Sequence, residues 1–521
     1  MVVLRTLPRA LSLCLLLVTA PACGQRTAPA AADGGAKGAA KTGGPAAAGG
    51  PAAAAAPASG PVLTAGIFPP EVRSLRLKKS VVAYADADDK SRPRGTIAGE
   101  TRVRWLKAKQ GRGCNGANRW IEVEEGAWVC DRNLEPSKKE PLGRELPRIP
   151  HGKLIPGDFA MIDLPKKEKV EGAYPYGYRS VKDIQASASQ PTGGAWKCML
   201  QKPPVAVKGK SYWRTDCNGF LFEARFVRKM DPSKHEGVKL DEAKLELPIV
   251  FSAPPKADTT SAPGGGRKVR TLKGRTALKV LEIKAVKSRG KGRPAVRAYR
   301  VGENEWLASP LGNLVEKAAP PPGVRADERW VDINTDEQVL VAYEGPKPVF
   351  ATLISSGKER APQGKEPTPT VPGVYRIYHK FAETKMSGLS GTDEAYWVSK
   401  VPWTQYFSGD FALHGAYWHN GFGRTASHGC VNLAPKDARF LYFWTDPPVP
   451  LGWSMKAADT AHPGSVVRVR NTREPNPEFR GYAKRVLKLR QGKPVGDGKA
   501  DEATEAPAIP VEPGESARGT P

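Results

Sequence analysis

The sequence predicts a mostly β protein in which small β modules precede a larger β domain that carries one short helix. Three observations predict it. Between residues 67 and 316, short segments rich in aromatic and β-branched residues are broken by Gly and Asp/Asn turns, the pattern of small β units. One segment is repeated: RWIEVEEGAWVCDRNLEPSKK (119–139) returns as YWRTDCNGFLFEARFVRKMDPSK (212–234), with Trp120 matching Trp213 and Gly126 matching Gly219, both at an offset of 93. Beyond residue 328, WVDIN, QVLVAYEG, VFATLISSG and GVYRIYHKF alternate apolar with polar residues between turn signals, and APKDARFLYFW (434–444) switches to helical spacing.

The elements follow in order. A chain of 521 residues is expected to hold more than one domain. Arg5 and Arg9 accompany an apolar run, ALSLCLLLVTA (10–20), that is too short to span a membrane, and small residues precede Cys23. Residues 1–22 therefore read as an export leader. The stretch APAC resembles a bacterial lipobox, which implies an acylated Cys23 and membrane attachment. Ala20 stands where Leu is usual, so cleavage without a lipid is the other outcome. Residues 23–66, nearly all Ala, Gly, Pro, Thr and Lys, cannot bury a core and read as a disordered tether. Modules are expected at 67–140, at 146–240 and, from a fainter copy of the repeat in YRVGENEWLASPLGNL (299–314), at 246–316. SVVAYADADDK followed by GTIAGETRVRWLKA resembles a bacterial SH3-like domain, which implies small barrels whose Trp and Tyr residues are core more than ligand platform. A Pro-rich hinge (317–327) leads to the β domain (328–471). In its helix Pro435 suits the first turn and Asp437 the positive end, and VVRVR (466–470) closes the domain as a strand. A basic extension (472–495) and a disordered tail (496–521) follow.

Formal charge is +27, from 80 Lys+Arg against 53 Asp+Glu, so an acidic or polyanionic partner is expected. Nucleic acid fits less well, since export separates the chain from it and no basic stripe with interleaved aromatics stands out. Of seven cysteines, Cys14 falls in the leader and Cys23 is the candidate lipid site. Cys114 and Cys130 are 16 apart, and Cys198 and Cys217 are 19 apart. In an oxidising compartment each pair is a candidate disulfide worth about 3 kcal/mol, although spacing does not prove connectivity. If both form, Cys430 is left as a single thiol.

That thiol sits in HGAYWHNGFGRTASHGCVNL (414–433), with His414, His419 and His428. A cysteine nucleophile reacts as thiolate, so it needs a histidine within reach and backbone N–H groups facing the developing oxyanion. His414 and His428 are base candidates. Gly429 permits close approach, with its own N–H and that of Cys430 exposed, and the N-terminus of the following helix is expected to lower the thiol pKa. Zinc is the competing reading, with His414, His419, His428 and Cys430 as four ligands. Against it, H-x-C departs from the usual ligand spacings, and no Asp or Glu lies between Phe411 and Pro435 to orient a ligand. A buried thiol among hydrogen-bonded histidines is the third reading. No metal or cofactor is expected, and His419 reads as structural or substrate-facing.

FALHGAYWHNGFGRTASHGCVNL resembles the signature of the YkuD-type L,D-transpeptidases, an HG motif followed further on by [S/T]HGC-V-N. VDINTDEQVLVAYEGPKPVFATLISSGK, TPTVPGVYRI, KMSG and VPWTQYF are similar to family sequence too, so the resemblance covers about residues 329–470. ERAPQGKEP (359–367) and the segment 386–403 are places where the cleft departs from it. The resemblance implies a β-sandwich. It also implies that Cys430 attacks the bond between diaminopimelate and the terminal D-Ala of a tetrapeptide stem, with His414 as general base oriented by the Gly415 carbonyl. Gly429 and Cys430 would form the oxyanion hole, His428, Ser427 and Asn432 would shape the site, and Tyr417 and Trp418 would line the substrate cleft. Transfer to an acceptor amine would give a 3–3 cross-link or attach a protein to the wall, whereas transfer to water would make an L,D-carboxypeptidase. A non-catalytic wall-binding protein is the rival from another class. The expected partners are peptidoglycan stem peptides and the bacterial cell wall, and the expected location is the cell envelope or periplasm, with the chain exported and anchored as a lipoprotein.

Overall fold

Apolar strands covered on both faces organise the β domain. In the computed structural model, which describes residues 62–114, 119–169, 173–192, 194–287, 295–360, 366–388, 396–459 and 462–493, the strand Arg329–Asn334 runs parallel to Val466–Arg470, in register from Trp330↔Val466 to Asn334↔Arg470. Their polar exceptions meet each other. The Asp332 carboxylate, 2% exposed, accepts from Arg468 Nε at 2.6 Å and from Arg470 Nε at 3.0 Å. Around this pair lies a six-stranded sheet in the order Val238–Lys239, Lys347–Leu353, Val339–Glu344, Arg329–Asn334, Val466–Arg470, Gly373–Arg376.

A second set of strands faces it: Trp453–Ala457, His379–Gly388, Tyr396–Ser408, Phe411–Gly415 and Val431–Leu433. Val331, Ile333, Leu340 and Phe350 of the first sheet meet Trp403, Phe407, Leu413 and Val431 of the second in one core. The helix Pro435–Trp444 closes that core with Leu441 and Tyr442, and it begins with Pro at its first turn as expected. The fold is mostly β and the domain is a sandwich. The basic extension adds a second helix, Gly481–Arg490, which buries Ala483 and Val486. Arg490 pairs with Glu328 at 2.8 Å. Burial opposes ionisation of that carboxyl, yet Arg490 and Arg376 hold it down at about 2.

The modules are hydrogen-bonded into this sandwich. The strand Ala195–Val207 of the second module runs parallel to Tyr396–Ser408, pairing Trp196↔Trp397 and Lys197↔Val398. In the first module, Pro93–Ile97 pairs antiparallel with Trp453–Ala457. A Cβ on Gly95 would lie 2.4 Å from Met455 O, so only glycine allows this approach. One 15-stranded sheet results. At the end of the second module, Val238–Lys239 joins the other sheet as its edge strand, and Gly237 N–H donates to Asp437 Oδ1 at 2.8 Å. The third module keeps sheets of five and three strands. The SH3-like resemblance implied closed barrels, and none closes among the described residues: edge strands of the first two modules pair with the sandwich instead, which satisfies their open N–H and C=O groups. Sγ–Sγ bonds join Cys114 to Cys130 and Cys198 to Cys217, each inside its own module's core, leaving Cys430 as the free thiol among the described residues.

The expected leader, Cys23, the tether as far as residue 61 and the tail from 496 lie outside the described residues. Among those described, no helix is long and apolar enough to cross a membrane.

Replacing Asp332 by Ala leaves two inward-facing guanidinium groups without their carboxylate. A loss of about 3–5 kcal/mol is expected, the range for breaking a buried ion pair from one side, read as a lower urea midpoint. Asp332→Ala stability equal to wild type would contradict the central role of this pair.

Candidate active site

The site is built on a short parallel ladder. Phe411–Gly415 pairs with Val431–Leu433 in the register Leu413↔Val431, His414↔Asn432, Gly415↔Leu433. Cys430 stands one residue before the ladder. Its sulfur receives the Ala412 N–H, and its Sγ–H donates to Asp410 O at 3.4 Å. His414 lies two residues beyond Ala412 on the same strand, a rise of about 6–7 Å. Among the described residues no hydrogen bond joins His414 to Cys430; the ladder makes them neighbours across adjacent strands.

His414 is buried, with Nδ1 3.4 Å from Gly415 O. A carbonyl only accepts, so the ring proton sits on Nδ1 and the Nε2 lone pair is available. Burial pushes the imidazole pKa down to about 4, with the Gly415 carbonyl opposing, so the ring is neutral at physiological pH. Trp418 covers it at 5.6 Å between centroids.

The SHGC turn is held from several sides. Ser427 Oγ accepts from Gly429 N–H at 3.1 Å and donates to Cys430 O. Thr370 Oγ1 donates to Gly429 O at 2.7 Å. Ser356 O accepts the N–H groups of Ala426 and Ser427, while Ser355 and Asn432 exchange both backbone hydrogen bonds. Gly429 has φ 125°, and a Cβ there would sit 2.3 Å from the Phe411 ring. Two expectations change here. The Gly429 N–H, expected to face an oxyanion, is taken by Ser427. Among the described residues only the Cys430 N–H of that pair is left without an acceptor.

The second correction concerns charge. Burial raises the Cys430 thiol pKa to about 11, with the Ala412 N–H opposing and the Asp410 carboxylate adding to the rise. The lowering expected from the helix N-terminus does not prevail, because burial moves the thiol the other way. In that helix's first turn the buried Asp437 takes Gly237 N–H and the Thr352 hydroxyl, and burial lifts its own pKa to about 7. The pair at rest is therefore a neutral thiol and a neutral imidazole.

The other expected residues divide. His428 is exposed and stacks on Tyr396 at 5.3 Å and 12°. Asn432 is buried, and its amide lies 2.9 Å from His419 Nε2. His419 Nδ1 accepts from Gly421 N–H at 3.1 Å, so the neutral ring carries its proton on Nε2 and Asn432 must accept through its oxygen. That places Asn432 behind the site, with His419 as its partner. Tyr417 is fully buried, donates to Ser399 O at 2.6 Å and packs on Phe159 at 4.1 Å. It anchors the second module and does not line a cleft. Trp418 stays half-buried above His414. Among the described residues the four zinc candidates do not bring their ligand atoms into one cluster.

Sequence reasoning missed the groups that distant segments bring in. Lys197 of the second module lies 5.8 Å from the Trp418 ring centroid. Asn420 Oδ1 accepts from Ser233 Oγ at 2.5 Å and from Arg275 Nη1 at 2.7 Å. These partners are separated by 145 and 187 residues in sequence, and no local pattern announces them. Thr370 was within reach, because it sits in the quoted TPTVPG stretch.

Comparison with known proteins shows what the β domain is similar to. Residues 328–469 match the YkuD family model, described as the L,D-transpeptidase catalytic domain. The putative L,D-transpeptidase YciB of Bacillus subtilis (strain 168) is 26% identical over 131 residues, covering 23% of this chain and 63% of its own length. The match thus spans just under two thirds of that relative. Among solved structures, the catalytic domain of the Enterococcus faecium L,D-transpeptidase is 21% identical, with 28% of this chain and 100% of that chain covered and a TM-score of 0.21. The L,D-transpeptidase of Mycobacterium smegmatis is 15% identical, with 52% and 99% covered and a TM-score of 0.22.

Two outcomes follow from the geometry. Gly429→Ala is expected to cost about 1–3 kcal/mol through its positive φ and the Phe411 contact, measured by thermal denaturation. Below its pKa the thiolate fraction rises tenfold per pH unit, so iodoacetamide labelling of Cys430 should climb about tenfold per unit from pH 7 to about 10. A plateau near pH 7 would mean a preformed thiolate.

Proposed function

We propose that the chain is a peptidoglycan L,D-transpeptidase with Cys430 as nucleophile. The observation that carries this reading is the His414 ring, neutral and fixed by Gly415 O with Nε2 free, on the strand beside Cys430. Rotation about the Cys430 Cα–Cβ bond takes the sulfur from Asp410 O towards Nε2. His414 then removes the thiol proton as sulfur attacks the diaminopimelate carbonyl, and the Cys430 N–H stabilises the oxyanion. Collapse expels D-Ala, whose amine takes the proton from the imidazolium. The thioester carbonyl is next attacked by the amine of a second stem, His414 takes that amine's proton, and the thiol is regenerated with a 3–3 cross-link. Protein amines and water are the alternative acceptors.

The rest of the architecture is consistent with work at the wall. An exported, basic chain would meet stem carboxylates, an acylated Cys23 with a tether would hold it at the membrane, and the preceding β modules would meet the wall beside the catalytic region 328–471.

Incubating the full chain with disaccharide-tetrapeptide and reading products by mass spectrometry tests the proposal. A thioester on Cys430 and a cross-linked dimer are expected. Tripeptide without dimer would assign the hydrolytic reaction. Loss of rate by about 100-fold or more is expected for His414→Ala, the lower end of general-base effects. Identical behaviour of wild type and Cys430→Ala would overturn the enzyme reading and favour a wall-binding protein.

A further inference from the structure

The third module and the loop that leads into the SHGC turn enclose an open cleft of roughly 470 Å³. Three cations line it, Lys273, Arg275 and Arg424, with Pro254 and Pro255 as apolar floor, and no carboxylate appears among its lining residues. The side chains of Lys273 and Arg424 are exposed and form no ion pair or hydrogen bond among the described residues. Their neighbours in the same module behave differently, since Lys268 pairs with Asp258, Arg270 with Glu305 and Arg300 with Glu282. The cleft is thus a local excess of positive charge that the protein leaves unmatched.

Arg275 makes the cleft a built feature. Its backbone sits at φ 65°, in the left-handed region that a long side chain rarely adopts. The preceding Gly274 fits because a Cβ there would meet Pro255 O at 2.6 Å. Both terminal nitrogens of Arg275 are fixed on Asn420, one on the side-chain oxygen and one on the backbone carbonyl. Its Nε–H is buried and has no acceptor. Arg275 is thus held among the cleft's lining residues by Asn420 and by its own turn of backbone. Asn420 adjoins His419, and the same loop continues through Arg424 to Ser427, so the cleft is walled by the loop that leads into the SHGC turn.

We propose that this cleft is a carboxylate-binding subsite for a peptide strand, contributed jointly by the third module (Lys273, Arg275) and the active-site loop (Arg424). Naming that peptide a peptidoglycan stem rests on the acyl-transfer reading above; the preference for a carboxylate-bearing ligand rests on the cleft alone. The subsite is distinct from the Cys430–His414 pair and does no chemistry. It holds a strand by its charges while the reacting carbonyl or amine meets the sulfur.

The test is a calorimetric titration of the full chain carrying Cys430→Ala, so that binding is read without turnover. The probes are a synthetic tetrapeptide stem with free carboxylates and the same peptide with them amidated. Charge reversal at two exposed positions, K273E with R424E, should weaken the free-acid peptide about tenfold, the scale of two charge-assisted contacts. It should leave the amidated peptide unchanged, and K273R with R424K should bind like wild type. Raising salt should weaken binding to the unreversed protein more than to the reversed one. Equal affinity of both proteins for the free acid, no binding of it, or equal weakening of both peptides would overturn the subsite. Thioester formation at Cys430 in the otherwise wild-type chain, followed separately by intact mass, reports on the acyl-transfer reading, so the two proposals fail independently.

Discussion

The site depends on the register of one short parallel pair, Phe411–Gly415 against Val431–Leu433. Side chains alternate along a strand, so a slip of one residue would turn His414 away from the face that Cys430 approaches and carry Leu413 into its place. The register is fixed from outside the pair. Leu413, Val431 and Leu433 fill the core between the two sheets, and Asn432 is bound on both backbone groups by Ser355 from the opposite sheet. Thr370 and Ser427 hold the turn that delivers Cys430. A sandwich whose two sheets both touch the motif is the condition for a thiol and an imidazole to share one small volume.

Burial sets the chemistry of that volume. It drives the imidazole down to about 4 and the thiol up to about 11, so both groups rest uncharged. At rest the proton therefore stays on the sulfur, and the Cys430 N–H is left without an acceptor among the described residues. Gly429 serves a different need, because only a residue without Cβ can turn through φ 125° against the Phe411 ring.

The modules take part in this arrangement through backbone hydrogen bonds. Parallel pairing of Ala195–Val207 with Tyr396–Ser408 makes the second module an extension of one sheet of the sandwich, and Val238–Lys239 stitches the end of that module to the other sheet. Asn420 is then held by Ser233 and Arg275 together. The loop carrying His419 is therefore positioned by two separate stretches of chain, and the cationic cleft lies where the Arg275 stretch meets that loop.

The local features were legible in the residues themselves. Alternation in WVDIN and VFATLISSG announced strands, Pro435 announced the start of the helix, and HGAYWHNGFGRTASHGCVNL announced a thiol among histidines, because each depends on contacts a few residues apart. The close cysteine pairs were legible for the same reason. Tertiary structure alone decided the rest. Tyr417 reads as a cleft residue in sequence, yet Phe159 from the second module covers it. His419 acquires its role from Asn432 across the loop, and the Gly429 N–H is claimed by a hydroxyl whose rotamer no sequence specifies. The thiol pKa changed direction for the same cause: a helix N-terminus is visible in sequence, whereas the desolvation that outweighs it comes from surrounding chain. Sequence determined which groups the protein possesses; packing between distant segments determined which of them face each other, because burial and hydrogen-bond partners are properties of neighbours in space.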